Sequence, residues 1–251
     1  SILLLHWLLR GVSVRHGLVI FYAYGVGFYG VGVSWVYVSI HEFGGASILL
    51  AGLLVLLFVL AMALFFLAQG YIYLKFFRQS IWGITLGFSA IWVLREWLLT
   101  WFLTGFPWLF AGYGLLDTWL AGYAPMLGVL GVSYMALLQT SLLACALGRL
   151  LSLREISPPV LVTVTLVPVI WLGGWFLEQT RFVEPTGTTL TVSAIQGNVD
   201  QHTKWTRAMM APILRTYTGL SETEWGRDLI VWPEAAVTVF RSSADSFLAP
   251  L

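Results

Sequence analysis

Glu234 follows directly on Asp228–Pro233 (DLIVWP), so a carboxylate stands where the chain leaves a short apolar run closed by proline. In α/β layers, groups at the carboxyl end of a buried strand face ligand, and a carboxylate there suits proton transfer. A solvated turn residue would occupy the same position, and spacing alone leaves both readings open. Arg95 and Glu96 are a second candidate, because they interrupt an otherwise apolar stretch. Charges inside a membrane are costly and tend to face a bundle interior or a water-filled cavity. As neighbours on a helix they do not face each other, so they are not a simple ion pair. The alternative is that Arg95 snorkels to the interface. Cys145 is the only cysteine, which excludes an intramolecular disulfide or a multi-cysteine zinc site. In apolar surroundings a thiol is usually inert, so it is not read as a nucleophile. His6, His16, His41 and His202 are scattered without metal-ligand spacing. No metal and no cofactor is expected.

The elements that must position these groups are set by composition. Of 251 residues, 59% are hydrophobic and 10% charged, with a mean hydropathy of +0.84. Soluble domains carry about 25% charged residues, so most of this chain belongs in a membrane. A net charge of +1 without a clustered basic face argues against a nucleic-acid partner. A spanning helix needs about 20 apolar residues to cross about 30 Å of hydrocarbon. Five stretches qualify, at about 17–38, 46–69, 80–101, 122–147 and 158–177. Arg95 and Glu96 then lie inside the third, about 9 Å from its outer end at a rise of about 1.5 Å per residue. Gly25-Val26-Gly27-Phe28-Tyr29-Gly30 matches a dinucleotide-binding pattern by letter. It lies inside the first span, with no strand before it, and small residues there serve close helix packing.

Arg10, Arg15, Lys75, Arg78, Arg149 and Arg154 fall in loops of one side, whereas the alternate loops, about 39–45 and 102–121, hold no Lys or Arg. The positive-inside rule places the basic side in the cytoplasm and the chain after the fifth span outside it. Trp82, Trp101, Trp108 and Trp119 lie near predicted span ends, as interface anchors do. The outer loop Thr104-Gly105-Phe106-Pro107-Trp108 is aromatic and free of positive charge. It suits a lipid-accessible mouth or plain interfacial anchoring. The chain opens at Ser1 inside an apolar run, Ile2–Leu9, too short to span, which reads as the end of an earlier helix. It is expected to be a piece of a longer protein, truncated at both ends.

Beyond about residue 182 the composition becomes that of a soluble domain. Thr189–Val199 alternates as a strand, and Thr206–Leu220 has apolar residues at helical spacing with Pro212 as a kink. Asp228–Trp232 reads as a strand covered on both faces. Strand, helix and strand make an α/β layer unit.

Val192–Val199 (VSAIQGNV), Lys204-Trp205 and Asp228–Ala235 (DLIVWPEA) together resemble the opening of a nitrilase-type hydrolase domain. Ser34–Gly45 (SWVYVSIHEFGG) and Thr104–Trp108 (TGFPW) extend the likeness to the membrane part. With these, essentially the whole chain resembles the apolipoprotein N-acyltransferase family. The resemblance implies a helical membrane domain, about 1–181, followed by the start of a periplasmic αββα nitrilase-like sandwich, about 182–251. The setting implied is the inner membrane of a Gram-negative-type bacterium. It implies a Glu-Lys-Cys triad with Glu234 as general base and Trp205 in the active-site surroundings. Lys and Cys would lie beyond Leu251, so residues 1–251 alone are expected to be inactive. Arg95, Glu96, Phe106, Pro107 and Trp108 are expected to contact substrate. The implied reaction carries an acyl chain from a phospholipid, through a cysteine thioester, to the amine of a diacylglyceryl-cysteine at an apolipoprotein N-terminus. Three other functions fit parts of the chain: a transporter or channel, a membrane-anchored amidase with water as acceptor, and a scaffold that has lost its triad. No internal repeat supports the transporter, which also leaves DLIVWPE unexplained.

Overall fold

A computed structural model describes residues 1–153 and 158–238. Arg154, one of the six basic loop residues, lies outside them. The chain divides into two compact units, Ser1–Phe182 and Val183–Leu251.

In the first unit, α1 (Ile2–Leu8) precedes α2 (Val14–Gly32), which Ser13 caps by accepting the His16 N–H. A short α3 (Val36–Val38) runs into the π-helical Ser39–Phe43. α4 (Ile48–Ile72) is capped by Ser47 and continues as π-helix through Tyr73–Phe77. A second π-helical turn, Gly83–Gly87, leads into α5 (Phe88–Leu98). α6 (Ala124–Leu153) and α7 (Pro158–Glu178) complete the unit. Among the described residues three helices are long and apolar enough to cross a membrane: Ile48–Phe77, Trp119–Leu151 and Val160–Glu178. Leu49, Leu53, Leu56 and Leu57 of α4 stay exposed, which an apolar solvent tolerates and water would not.

The stretches expected as the first and third spans are not regular single helices. The first is a pair, Val14–Gly32 and Val36–Phe43, bent by 61°. The break falls where Ser34 Oγ donates to the Val31 carbonyl and Leu109 packs onto Gly32, so side chain and loop compete with the helical ladder. The third starts as the π-helical turn and continues without a break as the 11-residue α5. α2 packs along α4, and Gly25 makes this possible, since a Cβ there would sit 3.0 Å from Phe66 Cβ. The glycine pattern thus serves helix packing. Around this seam lies an aromatic core in which Phe21, Phe66, Phe88 and Trp92 are all buried.

In the second unit, β1 (Val192–Ala194) and β2 (Leu229–Val231) pair in parallel, Ser193 opposite Ile230, and α8 (Arg207–Glu222) connects them. Parallel neighbours require such a crossover. Ile213 and Tyr217 of α8 pack with Ile195, Ile230 and Trp232. The expected strand Thr189–Val199 shortens to three residues, because β2 offers three partners and the chain then turns at Asn198, whose φ is +46°. The expectation that DLIVW is covered on both faces is not met among the described residues. Leu229 and Val231 remain 48% and 44% exposed, since α8 covers only the Ile230 side. These residues form a helix on a two-stranded sheet, not a sandwich.

Candidate functional site

The first unit buries two charges. Arg95 and Glu96 are 5% and 0% exposed. Arg95 does not snorkel: its guanidinium carbon lies 3.7 Å from the Phe66 ring centroid, 4.6 Å from Trp92 and 5.8 Å from Phe28. Desolvated cation–π contacts contribute about 2 kcal/mol or more, which offsets part of the several kcal/mol of burying a charge. Its Nε and Nη1, and Glu96 Oε2, are buried without a hydrogen-bond partner among the described residues. Arg95 and Glu96 make no ion pair with each other among the described residues, as their adjacency on a helix dictates.

Glu96 has a different task. Its Oε1 accepts the Trp92 Nε1–H at 3.0 Å from within α5 and the Ala111 N–H at 2.9 Å from the following loop. The Gly112 N–H donates to Ser133 Oγ of α6 at 2.8 Å, and the Phe106 N–H to the Leu99 carbonyl at 2.7 Å. The segment 99–112 is therefore pinned at three points. Phe106 packs on Phe58 at 5.1 Å, and Trp108 on Trp35 at 5.3 Å. Phe58 lies ten residues into α4, so the loop dips about 15 Å along that helix. Pro107 and Trp108 stay exposed. Leu103, Thr104 and Leu109 all adopt positive φ, at +51°, +74° and +64°. Non-glycine residues in this region cost about 1–3 kcal/mol each and persist where surrounding contacts over-determine them. Of the first-unit residues expected to bind substrate, Phe106, Pro107 and Trp108 thus belong to one braced loop, Glu96 braces it from α5, and Arg95 sits in an aromatic cage on the same helix.

In the second unit, Glu234 occupies a turn just past β2, closed by the Ala236 N–H donating to the Pro233 carbonyl at 3.2 Å. Ala235 has a φ of +53°, and Ala236 is buried against the small core, which holds that strained turn in place. Glu234 is left exposed. Lys204 reaches the same turn: its Nζ donates to the Glu234 carbonyl oxygen at 3.4 Å and stands 5.8 Å from the Trp205 ring centroid. Lys204, Trp205 and Glu234 are therefore gathered at one end of the sheet, though Lys204 meets the backbone of Glu234 and not its carboxylate. Trp205 is 62% exposed.

The other end of the sheet is held by two carboxylates that motif reading passed over. Asp228 accepts both the N–H and the Oγ1–H of Thr191 at 2.8 Å, and these bonds hold its carboxyl below the usual range. Glu224 is held low by the Ser193 hydroxyl, at 2.6 Å, and by Arg227. Their signal in sequence is weak, since each is a polar residue in a loop.

Cys145 is half-buried and lies in the wall of a cavity of about 660 Å³ bounded by residues of α1, α6, the π-helical Tyr73–Phe77 and Gly83–Gly87 and the turns beside them. His6 shares a hydrogen bond with Ser141 Oγ, and His16 and His41 are bonded within their own turns. Among the described residues no group of three His, Cys, Asp or Glu is placed to hold a metal.

Apolar helices around a caged buried charge, joined in sequence to a βαβ unit with a carboxylate at its strand exit, define a multi-pass membrane protein with an α/β appendage. A family model described as the apolipoprotein N-acyltransferase N-terminal domain matches residues 1–143. An apolipoprotein N-acyltransferase of Pseudomonas syringae pv. tomato is 41% identical over 243 residues, covering 96% of this chain and 47% of that protein. One from Azotobacter vinelandii is 40% identical over 255 residues, covering 100% of this chain and 48% of its own length. One from Coxiella burnetii is 34% identical over 230 residues, covering 91% and 46% respectively. The chain belongs to the family of the apolipoprotein N-acyltransferase N-terminal domain. It spans about half the length of the curated relatives it matches.

Proposed function

We propose that the full-length protein transfers an acyl chain from a phospholipid to the N-terminal amine of a diacylglyceryl-cysteine apolipoprotein, through a cysteine thioester. The observation that carries this reading is the turn at the exit of β2, which presents Glu234 exposed beside Lys204 and Trp205. The name shared by the relatives supports it. Thiol and activating cation would come from the half of the relatives' length that this chain does not span. Glu234 takes the thiol proton, and the thiolate attacks the acyl carbonyl of the phospholipid. The ester C–O bond breaks, and the departing alkoxide recovers the proton from Glu234. The acceptor amine then attacks the thioester, the C–S bond breaks, and its proton returns through Glu234 to the thiolate.

On this reading residues 1–181 are the membrane domain, and residues from 182 onward open a nitrilase-like αββα domain on the periplasmic side of an inner membrane. The braced loop carrying Phe106, Pro107 and Trp108 lines a lipid-accessible mouth of the membrane domain, with Glu96 tying it to α5 and Arg95 caged on the same helix. Both substrates are lipids, which gives a physical reason to tether a hydrolase-like fold to a bundle. The test is Glu234→Gln in the full-length protein: acyl-thioester formation is expected to vanish while membrane insertion persists. Accumulation of the acyl-enzyme at the wild-type rate would remove Glu234 from this role.

A further inference from the structure

We propose that the arginine-bearing end of the bundle holds an anionic glycerophospholipid, its phosphate in the Cys145 cavity and an acyl chain in the groove beside it. This site requires nothing from the second unit and does not rest on the acyl-transfer reading. The cavity, about 660 Å³, is lined by Arg10, Arg78 and Arg149 and, among the described residues, by no carboxylate. Three cations in one recess repel one another, and the recess is most stable when an anion fills it. The volume is in the range of small-molecule sites, about 300–1,000 Å³.

Two of the arginines are fixed by the fold. Arg10 donates through Nη2 to the Ala144 carbonyl at 2.7 Å. Its guanidinium lies over Gly148, where a Cβ would overlap it. Arg78 donates through Nη1 to the Val12 carbonyl at 2.8 Å. Each bond uses one of five N–H donors, which leaves the others for phosphate oxygens. Arg149 is exposed and makes no hydrogen bond among the described residues. The three come from the α1–α2 turn, the turn after the π-helical end of α4, and the last third of α6, so only the folded bundle brings them together.

The second observation separates a lipid from a free anion. A groove of about 510 Å³ adjoins the cavity, with Ser80 in the wall of both. It is lined by Phe76, Trp82, Leu86 and Tyr134, and Phe76 and Trp82 are 63% and 66% exposed. A basic recess opening on an aromatic groove at the helix ends matches the two halves of a phospholipid, and basic pockets between spans take anionic headgroups.

The experiment is native mass spectrometry of delipidated full-length protein with phosphatidylglycerol, with phosphatidylethanolamine of the same chains, and with inorganic phosphate. Wild-type protein is expected to retain phosphatidylglycerol in preference to phosphatidylethanolamine. Arg149→Gln, which loses no hydrogen bond among the described residues, should weaken retention about fivefold, as expected for one charge at the membrane surface. Arg15→Gln, outside the cavity, should leave it unchanged. Trp82→Ala should weaken long-chain phosphatidylglycerol more than a short-chain form. Equal retention of the two lipids, or an unaffected Arg149→Gln, overturns the proposal. Inorganic phosphate competing as well as phosphatidylglycerol overturns it in favour of a free-anion site.

Discussion

Replacing Glu96 by leucine should loosen one loop while leaving the protein about as stable as before. Glu96 Oε1 accepts two hydrogen bonds, from Trp92 and Ala111. Bonds to a charged group contribute about 1.5–3 kcal/mol each, so their loss costs about 3–6 kcal/mol. Against this, the carboxylate is 0% exposed and its Oε2 has no partner among the described residues, so its removal relieves a desolvation penalty of several kcal/mol. The two terms nearly cancel globally. They do not cancel in the loop, because the Ala111 bond is the pin that Glu96 supplies, and only the Phe106–Leu99 and Gly112–Ser133 pins remain without it. Loss of about 1.5–3 kcal/mol there corresponds to about 10–150-fold faster local opening. Hydrogen exchange of peptides covering 103–112, in detergent, should show that acceleration, with a melting temperature near wild type. Glu96→Gln keeps an oxygen acceptor and should exchange near the wild-type rate. Unchanged exchange in Glu96→Leu, or a large global destabilisation with no preferential effect on 103–112, would refute the assignment of Glu96 as the loop's anchor.

Gly105 has φ +88° and ψ +147°, and a Cβ there would press on the Thr100 carbonyl oxygen. Gly105→Ala should therefore lower stability by about 1–3 kcal/mol, read as an earlier thermal transition in detergent. Gly25→Val should force α2 from α4 at Phe66 and reduce the yield of folded protein, whereas Gly27→Ala, with open space around it, should be tolerated. The second unit should lose stability in acid. Asp228 and Glu224 have folded pKa values below their unfolded ones, so their contribution is present above about pH 5 and lost as pH falls below about 4. Asp228→Asn should differ from wild type at neutral pH and converge with it in acid, measured by hydrogen exchange across 189–195. Persistence of the difference at low pH would exclude the carboxylate as its source.

Glu234 shows how far residue order reaches. Its place after an apolar, proline-closed run was legible, because strand and turn signals are local. Its exposure depends on the left-handed Ala235 and the buried Ala236, and neither residue type announces that. Arg95 was legible as an anomaly, but whether it snorkels or is caged depends on Phe28 and Phe66, which approach from α2 and α4. The bend of 61° in the first apolar stretch was equally hidden, since the residue that occupies the gap, Leu109, lies far along the chain.

Residue order alone sets what must sit in lipid and which groups are costly there. Hydrocarbon selects on composition over about 20 residues, and one buried charge stands out against it. It also carried the family likeness, through short segments whose residue types are read in order. Packing in three dimensions sets that Glu96 braces a loop, that Lys204 meets Glu234 through its backbone, and that three arginines share one cavity. Each of these depends on distances between segments remote in sequence, and those are set by how helices pack rather than by the pattern along any one of them.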